Sequence, residues 1–262
     1  MFDWQLLLLL IIISLPGILL TVPRSLDRMM QRYGDQLSES RQLPSRTVLI
    51  FLSGLQSTLL VALFATLGII AVPRVGFSAP FFEAIINVDP AWPALKPQLL
   101  PTILASIAGA AIFLLSYYGF FRPRMDIRNI ACMEGLRMDL GIHARLLYGG
   151  VVEEVLTRWG LLSGFIWIGL ILFGRASPAV IWTSIVLTGI IFGLGHLPSY
   201  LAVGCRRTPA LIGAMIWLNL WASLVFGWLF WQYGLAAAML AHMLFHLIWY
   251  PFDLIFTSTS VE

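Results

Sequence analysis

The sequence predicts an all-α membrane protein, a polytopic bundle of about seven to eight transmembrane helices. Of its 262 residues, 59% are hydrophobic and 11% are charged, and the mean hydropathy is +0.88. So few charged groups cannot cover the surface of a soluble globule. The apolar runs are continuous and long enough to span a bilayer as helices. The strands of a transmembrane β-barrel would instead alternate apolar and polar residues.

The N-terminal part of the chain, 1–121, is predicted to hold three spans. The first lacks the basic n-region and the cleavage site of a signal peptide, so we expect a retained helix. The loop after the second span is rich in proline and is expected to be irregular. The spans are expected at 4–22, 47–72 and 99–121, with a polar loop at 23–46 and the Pro-rich loop at 73–96.

The segment 122–145 is basic, and its apolar residues recur every three or four positions. This spacing predicts an amphipathic helix on the membrane surface. The remaining part, 146–257, is predicted to hold four further spans, so that the chain 1–262 forms a single membrane domain. The four spans are expected at 146–173, 178–200, 210–231 and 235–256.

The basic residues predict how the chain is oriented. Alternate loops carry five, five and two Lys or Arg residues, whereas the opposite loops carry three. Because cytoplasmic loops accumulate these residues, we expect the N-terminus outside and the C-terminus in the cytoplasm. Anchoring beside anionic lipids explains the basic residues and the pI of 9.1, so no nucleic-acid partner is predicted.

The chain contains two cysteines, Cys132 and Cys205, which are far apart in the sequence. Neither has a second cysteine or a histidine at the spacing of a metal site. Both fall in predicted cytoplasmic loops, where thiols stay reduced. They are therefore predicted to be free thiols.

A charged stretch, GGVVEEVLTR at 149–158, interrupts the fourth apolar span. Charges at bilayer depth are expensive, and they usually mark a functional site. Glu154 and Arg158 stand at i and i+4, which places them on one helix face as a pair. A structural ion pair would explain these two residues, but it would leave Glu153 without a partner. The stretch therefore favours function over structure.

Three of the four histidines also lie in apolar spans. His242 and His246 share one helix face, and all three can meet Glu153 in the cytoplasmic half of the bundle. Interhelical hydrogen bonding is the alternative, but three such residues near an acidic pair favour a site. His143, in the basic segment, is predicted to be a solvated surface side chain.

Taken together, the motifs EEVLTR (153–158), FGLGH (192–196) and HMLFH (242–246) resemble those of the CPBP family. This family comprises CAAX-protease and bacteriocin-processing intramembrane endopeptidases, which are also grouped with abortive-infection proteins. Its motifs run Glu-Glu-x-x-x-Arg, Phe-x-x-x-His and His-x-x-x-Asn or Asp. The resemblance covers residues 136 to about 251.

The resemblance implies that Glu153 is the general base that activates a water molecule. Glu154 would be its neighbour, held by Arg158. His196 would bind or orient the water, and His242 would serve the same site or stabilise the oxyanion. The last motif ends in His246 where the family usually has Asn or Asp, which leaves the oxyanion role at that position open.

Glu153, His196, His242 and His246 could together hold Zn²⁺ with an open position for water. The resemblance equally permits a metal-free glutamate mechanism, and the sequence does not decide between the two.

The expected function is an integral membrane endopeptidase, in a bacterial inner membrane, whose site opens to the cytoplasm. Its partners would be membrane lipids and a membrane-associated peptide or lipid-modified protein. Prenylated CAAX-type tails and leader or signal-like peptides are the substrate classes that the resemblance implies. Two alternatives are a proton-coupled or metal-ion transporter, although no repeat symmetry is visible, and a non-catalytic immunity or scaffold member of the family.

Overall fold

A computed structural model describes residues 2–40 and 44–258 of the chain. Within these residues the protein is helical and contains no strand, so the predicted all-α fold class is confirmed. Arg41, one of the arginines counted for the orientation, lies outside the described residues, as does the side chain of Arg32. The α-helices are α1 (Trp4–Ser40), α2 (Arg46–Ala71), α3 (Pro80–Ile86), α4 (Ala91–Leu114), α5 (Ile127–Ala144), α6 (Ser163–Phe173), α7 (Pro178–Ala202), α8 (Pro209–Tyr233) and α9 (Leu235–Ser258).

Seven helical segments of the described chain are long and apolar enough to cross a membrane. The number agrees with the lower figure predicted from the sequence. The longest segment runs from α5 to α6. It kinks at Gly141, whose φ of 69° is not helical, and two π-helical stretches then lead into α6. The π-helical stretches are Arg145–Glu153 and Val155–Leu162, and the seven segments are Trp4–Gln31, Arg46–Val75, Ala91–Arg124, Ile127–Phe173, Pro178–Ala202, Pro209–Tyr233 and Leu235–Phe256.

The prediction of a polar loop at 23–46 is wrong for most of its length, because α1 continues to Ser40. Pro23 lies inside the helix without ending it, and the residues that follow are mostly good helix formers. Two ion pairs hold this polar extension in place. Arg28 pairs with Asp139 of α5, and Asp27 pairs with Arg46 at the start of α2, with an N–O distance of 2.6 Å.

The Pro-rich loop expected at 73–96 is more regular than predicted. It contains the short helix α3, and α4 begins at Ala91 instead of near residue 99. Pro80 stands at the first position of α3, where proline fits because the missing N–H has no helical partner. The carboxylate of Glu83 accepts a hydrogen bond from the backbone N–H of Ala79 at 2.8 Å, which caps the helix start.

The amphipathic segment forms α5 as predicted, but two of its charged residues do not face lipid headgroups or water. Glu134 and Arg137 are buried, as is Arg145 just beyond the helix. The carboxylate of Asp253 in α9 pairs with both arginines. Burial is tolerated here because each charge has an opposite charge in contact.

The prediction that the cysteines are free is wrong. Cys132 of α5 and Cys205 of the connection between α7 and α8 form a disulfide, with their Cα atoms 5.6 Å apart. The side chain of Asn129 holds the two segments together, because it accepts from the N–H of Arg206 at 2.7 Å and donates to the carbonyl of Arg206 at 3.1 Å. The cysteines are 73 positions apart in the chain, and the packing of α5 brings them together.

We expect the Cys132→Ser variant to be less stable than the oxidised wild type. The disulfide closes a long loop, and its loss removes a constraint on the unfolded chain worth about 2 to 4 kcal/mol. Thermal unfolding of the purified protein, with and without reductant, measures the effect. Reductant should lower the midpoint of the wild type and leave that of the variant unchanged. Rapid alkylation of both thiols in the non-reduced wild type would contradict the disulfide.

Candidate active site

A cavity of about 380 Å³ lies inside the helix bundle and contains most of the predicted site. Glu153 comes from the first π-helical stretch, His196 from α7, and His242 and His246 from α9. These four side chains all line the cavity. Glu154 and Arg158 do not line it, and they lie buried behind it. The sequence therefore predicted correctly that side chains from three separate spans meet.

Glu153 is the exposed member of the acidic pair. Its side chain is 18% exposed, whereas that of Glu154 is fully buried. One carboxylate oxygen is 3.7 Å from Nε2 of His196, and the other is 3.8 Å from Nε2 of His242. Both distances are too long for direct hydrogen bonds. They fit an arrangement in which a water molecule lies between the carboxylate and an imidazole.

Glu154 has a different role, because it holds two neighbours. Its Oε1 atom accepts from Nη1 of Arg158 at 3.0 Å and from Nδ1 of His242 at 2.6 Å. Arg158 is itself fixed, since it also donates to Thr157 Oγ1 at 2.6 Å and to Ser223 Oγ at 2.9 Å. Glu154 thus joins α9 to the helical segment Ile127–Phe173, which carries the EEVLTR motif. It also sets the orientation of the His242 ring.

The partners of the imidazoles assign their tautomers. Nδ1 of His196 lies 2.8 Å from the carbonyl oxygen of Phe192, which can only accept. Nδ1 of His242 faces the Glu154 carboxylate in the same way. In the neutral form each ring therefore carries its proton on Nδ1 and presents the lone pair of Nε2 toward Glu153.

His246 has the opposite tautomer. Nε of Arg145 donates to its Nδ1 at 3.3 Å, and because arginine has no acceptor, Nδ1 must hold the lone pair. The neutral ring then carries its proton on Nε2. This ring stacks on His242, with 5.0 Å between the ring centroids. His246 can thus donate a hydrogen bond inside the cavity without being protonated, as the amide of an asparagine would.

Gly149 allows α9 to approach the π-helical stretch Arg145–Glu153 closely. A Cβ atom at this position would lie 2.6 Å from Nε2 of His246 and 3.2 Å from Nε2 of His242. The glycine thus makes room for both imidazoles. This is the physical reason for the first residue of the GGVVEE stretch.

We expect Gly149→Ala to impair activity more than stability. The added methyl group must displace two imidazoles that are side chains with some freedom, so the bundle can adjust. Misplacing catalytic groups by about 1 Å can lower the rate about 100-fold. Measurement of kcat together with the unfolding midpoint tests this expectation, with Gly54→Ala as the control because a Cβ there meets nothing within 4 Å. Equal activity of the two variants would contradict it.

A search of the described residues finds no group of three His, Cys, Asp or Glu side chains placed to hold a metal ion. The Nδ1 atoms of His196 and His242 are engaged with Phe192 and Glu154, which leaves the Nε2 lone pairs as the atoms that could bind a metal. Zinc binding therefore stays a prediction, and the steps proposed below use protein groups alone.

The structure also shows a second charged cluster, which the sequence reasoning missed. Asp253 accepts from Arg137 Nη2 at 2.8 Å and from Arg145 Nη1 at 2.8 Å. Glu134 accepts from Arg122 at 2.8 Å and from the hydroxyl of Tyr117 at 3.0 Å. One signal could have found the cluster, because Asp253 is a carboxylate inside the last apolar span. The rule that marks intramembrane charges as functional applies to it as it does to Glu153.

The fold and the cavity define the class of protein. It is an integral membrane protein whose helices enclose a cavity with carboxylate, imidazole and guanidinium groups. Residues 140–248 match a family model described as Type II CAAX prenyl endopeptidase Rce1-like. The match confirms the resemblance seen in the motifs. No curated protein and no solved structure matches the chain.

Proposed function

We propose that the protein is an intramembrane endopeptidase in which Glu153 activates the attacking water. The observation that supports this most strongly is the position of the Glu153 carboxylate, which faces the Nε2 atoms of His196 and His242 at 3.7 and 3.8 Å within the cavity. Its neighbour Glu154 is fully buried outside the cavity and holds Arg158 and His242 through one oxygen. Glu153 is therefore the carboxylate of the pair that can reach a water molecule in the cavity.

The water molecule would lie between Glu153 and His196. It would donate one hydrogen to the Glu153 carboxylate and the other to the lone pair on Nε2 of His196. As the oxygen attacks the peptide carbonyl, Glu153 takes the first proton, and a tetrahedral oxyanion forms. Glu153 then gives this proton to the departing amine as the C–N bond breaks. The products are a carboxylic acid and an amine, and Glu153 returns to its charged form.

His242 and His246 would stabilise the oxyanion. Nε2 of His246 carries a proton in the neutral ring because Arg145 occupies Nδ1. When both of its ring nitrogens carry a proton, His242 can donate from Nε2 while its Nδ1–H stays bonded to Glu154. Donors placed where negative charge develops typically contribute about 100- to 1,000-fold to the rate.

We expect His246→Asn to keep most of the activity and His246→Leu to lose about 100-fold or more of it. An asparagine amide can still donate a hydrogen bond at this position, whereas leucine cannot. Comparison of kcat for the two variants tests whether the position acts as a donor. Equal loss in both variants would show that the imidazole itself is required.

The function is tested with purified protein in lipid nanodiscs and a library of quenched membrane-associated peptides. The proposal expects cleavage by the wild type and none by Glu153→Ala, with bound metal measured on the same samples. The proposal is overturned if the wild type cleaves no peptide, or if Glu153→Ala cleaves as well as the wild type. Stoichiometric zinc that is lost in His196→Ala would identify the enzyme as a metalloprotease.

The proposal also covers the substrate class and the orientation of the protein in the membrane. Substrates are prenylated CAAX-type tails or leader or signal-like peptides, and the site opens to the cytoplasm of a bacterial cell. The Cys132–Cys205 disulfide lies on the side that the basic residues assign to the cytoplasm, where disulfides rarely persist. Labelling of single cysteines placed at Ser177 and Thr208, at opposite ends of the bundle, in intact cells decides the orientation.

A further inference from the structure

We propose that Asn219 of α8 is a substrate-binding residue whose amide hydrogen-bonds to the backbone of the peptide beside the cleaved bond. The proposal rests on the endopeptidase function proposed above and adds to it a contact with the substrate. Asn219 lies between the second and third motifs and belongs to neither. It lines the same cavity as Glu153 and His196, and it is the only carboxamide side chain that does so in the described part of the chain.

The amide of Asn219 has hydrogen-bonding groups to spare. Its Nδ2 atom donates to the carbonyl oxygen of Met215 at 2.7 Å. This bond assigns the two ends of the amide, because a carbonyl can only accept. The second N–H and the Oδ1 atom make no hydrogen bond to any other described residue. A peptide group also has one N–H and one C=O, so the unused half of the amide is complementary to a peptide backbone.

The walls of the cavity explain why a side chain has to bind the substrate backbone. The residues that line the cavity are almost all helical, and the backbone groups of a helix are bonded within it. Such walls have no strand edge that could pair with an extended peptide. A backbone N–H or C=O without a partner is costly in an apolar surrounding. Polar side chains that line the cavity must therefore satisfy the peptide.

The packing of α7 against α8 places the amide of Asn219 beside His196. A Cβ atom at Gly193 of α7 would lie 2.7 Å from the carbonyl oxygen of Met215, the same oxygen that accepts from Asn219. Phe192, the residue before Gly193, has the carbonyl that lies 2.8 Å from Nδ1 of His196. The two side chains thus lean back along adjacent helices to one level. Because His196 is proposed to bind the attacking water, the amide lies close to the bond that is cleaved.

The test measures binding without cleavage, by the Glu153→Gln protein in phosphatidylcholine nanodiscs. The probes are two fluorescent peptides, one with a farnesylated CAAX-type tail and one with an apolar leader-like sequence. Each is made as a series in which an ester replaces one backbone amide at a time, which keeps the shape of the chain and removes one N–H. We expect one ester position to weaken binding about three- to tenfold, as the loss of one hydrogen bond implies.

A variant at position 219 identifies the partner of that N–H. Asn219→Leu keeps the size of the side chain and removes its hydrogen-bonding groups. It should bind the all-amide peptide about three- to tenfold more weakly, and the sensitive ester should cause no further loss. Asn219→Ala should behave in the same way and is the second variant if Asn219→Leu does not fold. Gln56→Leu, at an exposed position of α2 outside the cavity, is the matched control and should keep the full ester effect.

The role of Asn219 is wrong if no ester weakens binding, a result that needs no variant at this position. It is equally wrong if the same ester weakens binding by the same factor after Asn219 is replaced. Failure of the protein to bind either probe would overturn this role together with the endopeptidase function. An ester effect that requires Asn219, with no cleavage of any peptide by the wild type, would support the contact and overturn the proposed function. Cleavage by the wild type with an ester effect that is independent of Asn219 would do the reverse.

Discussion

Glu153→Gln is expected to lower kcat for peptide cleavage by about 100- to 10,000-fold, the usual contribution of a general base. The amide fills the same space and can still hydrogen-bond to water, but it cannot accept a proton from it. KM should change little, because the substitution removes a proton acceptor and leaves the cavity walls intact. The measurement is a steady-state comparison in the same nanodiscs as the wild type.

Two controls show whether a loss of activity comes from the Glu153 carboxylate itself. Asp89→Asn removes an exposed carboxylate outside the cavity and should cleave at the wild-type rate. Glu153→Gln should unfold at the wild-type midpoint or above it, since its partly exposed carboxylate has no direct hydrogen-bond partner to lose. A slow variant that is also unfolded would say nothing about the base. A folded variant with wild-type kcat would exclude Glu153 from proton transfer and overturn the mechanism.

The motif-bearing spans were predictable because their signal is local. Long apolar runs set the number of helices, and charges within them are rare enough to stand out. The spacing of Glu154 and Arg158 predicted their ion pair, which forms at 3.0 Å. The same spacing left Glu153 without a partner and so favoured it as the reactive carboxylate. What the spacing could not give is the contact between Glu154 and His242, because His242 approaches from another helix.

The errors concern features that depend on packing between distant segments. In the polar half of α1, Arg28 and Asp27 pair with residues of α5 and α2, and no local signal contains those partners. The disulfide and the Arg137–Asp253 pair join residues that are 73 and 116 positions apart. The sequence shows such residues as isolated charges or thiols. Their burial and pairing follow only from the way α5 packs against α9 and the connection between α7 and α8.

Arg158→Met is expected to destabilise the protein by about 3 to 5 kcal/mol, as the removal of one partner from a buried ion pair does. Glu154 is fully buried, its Oε2 atom already lacks a hydrogen-bond partner, and its Oε1 atom would keep only His242. Unfolding in mixed micelles measures the loss, and the matched control is Arg128→Met, at an exposed position, which should change stability by less than about 0.5 kcal/mol.

The double variant Glu154→Gln with Arg158→Met separates the charge from the packing. If the single variant is unstable because it leaves a buried carboxylate uncompensated, the double variant should recover more than half of the lost stability. It should still cleave slowly, because the variant loses the charged acceptor that orients the His242 ring through Nδ1. Additive losses in stability would show instead that Arg158 acts mainly through its packing against Phe192 and Phe226. Full activity in the double variant would show that His242 does not need Glu154, and it would leave Glu153 and His196 as the working pair.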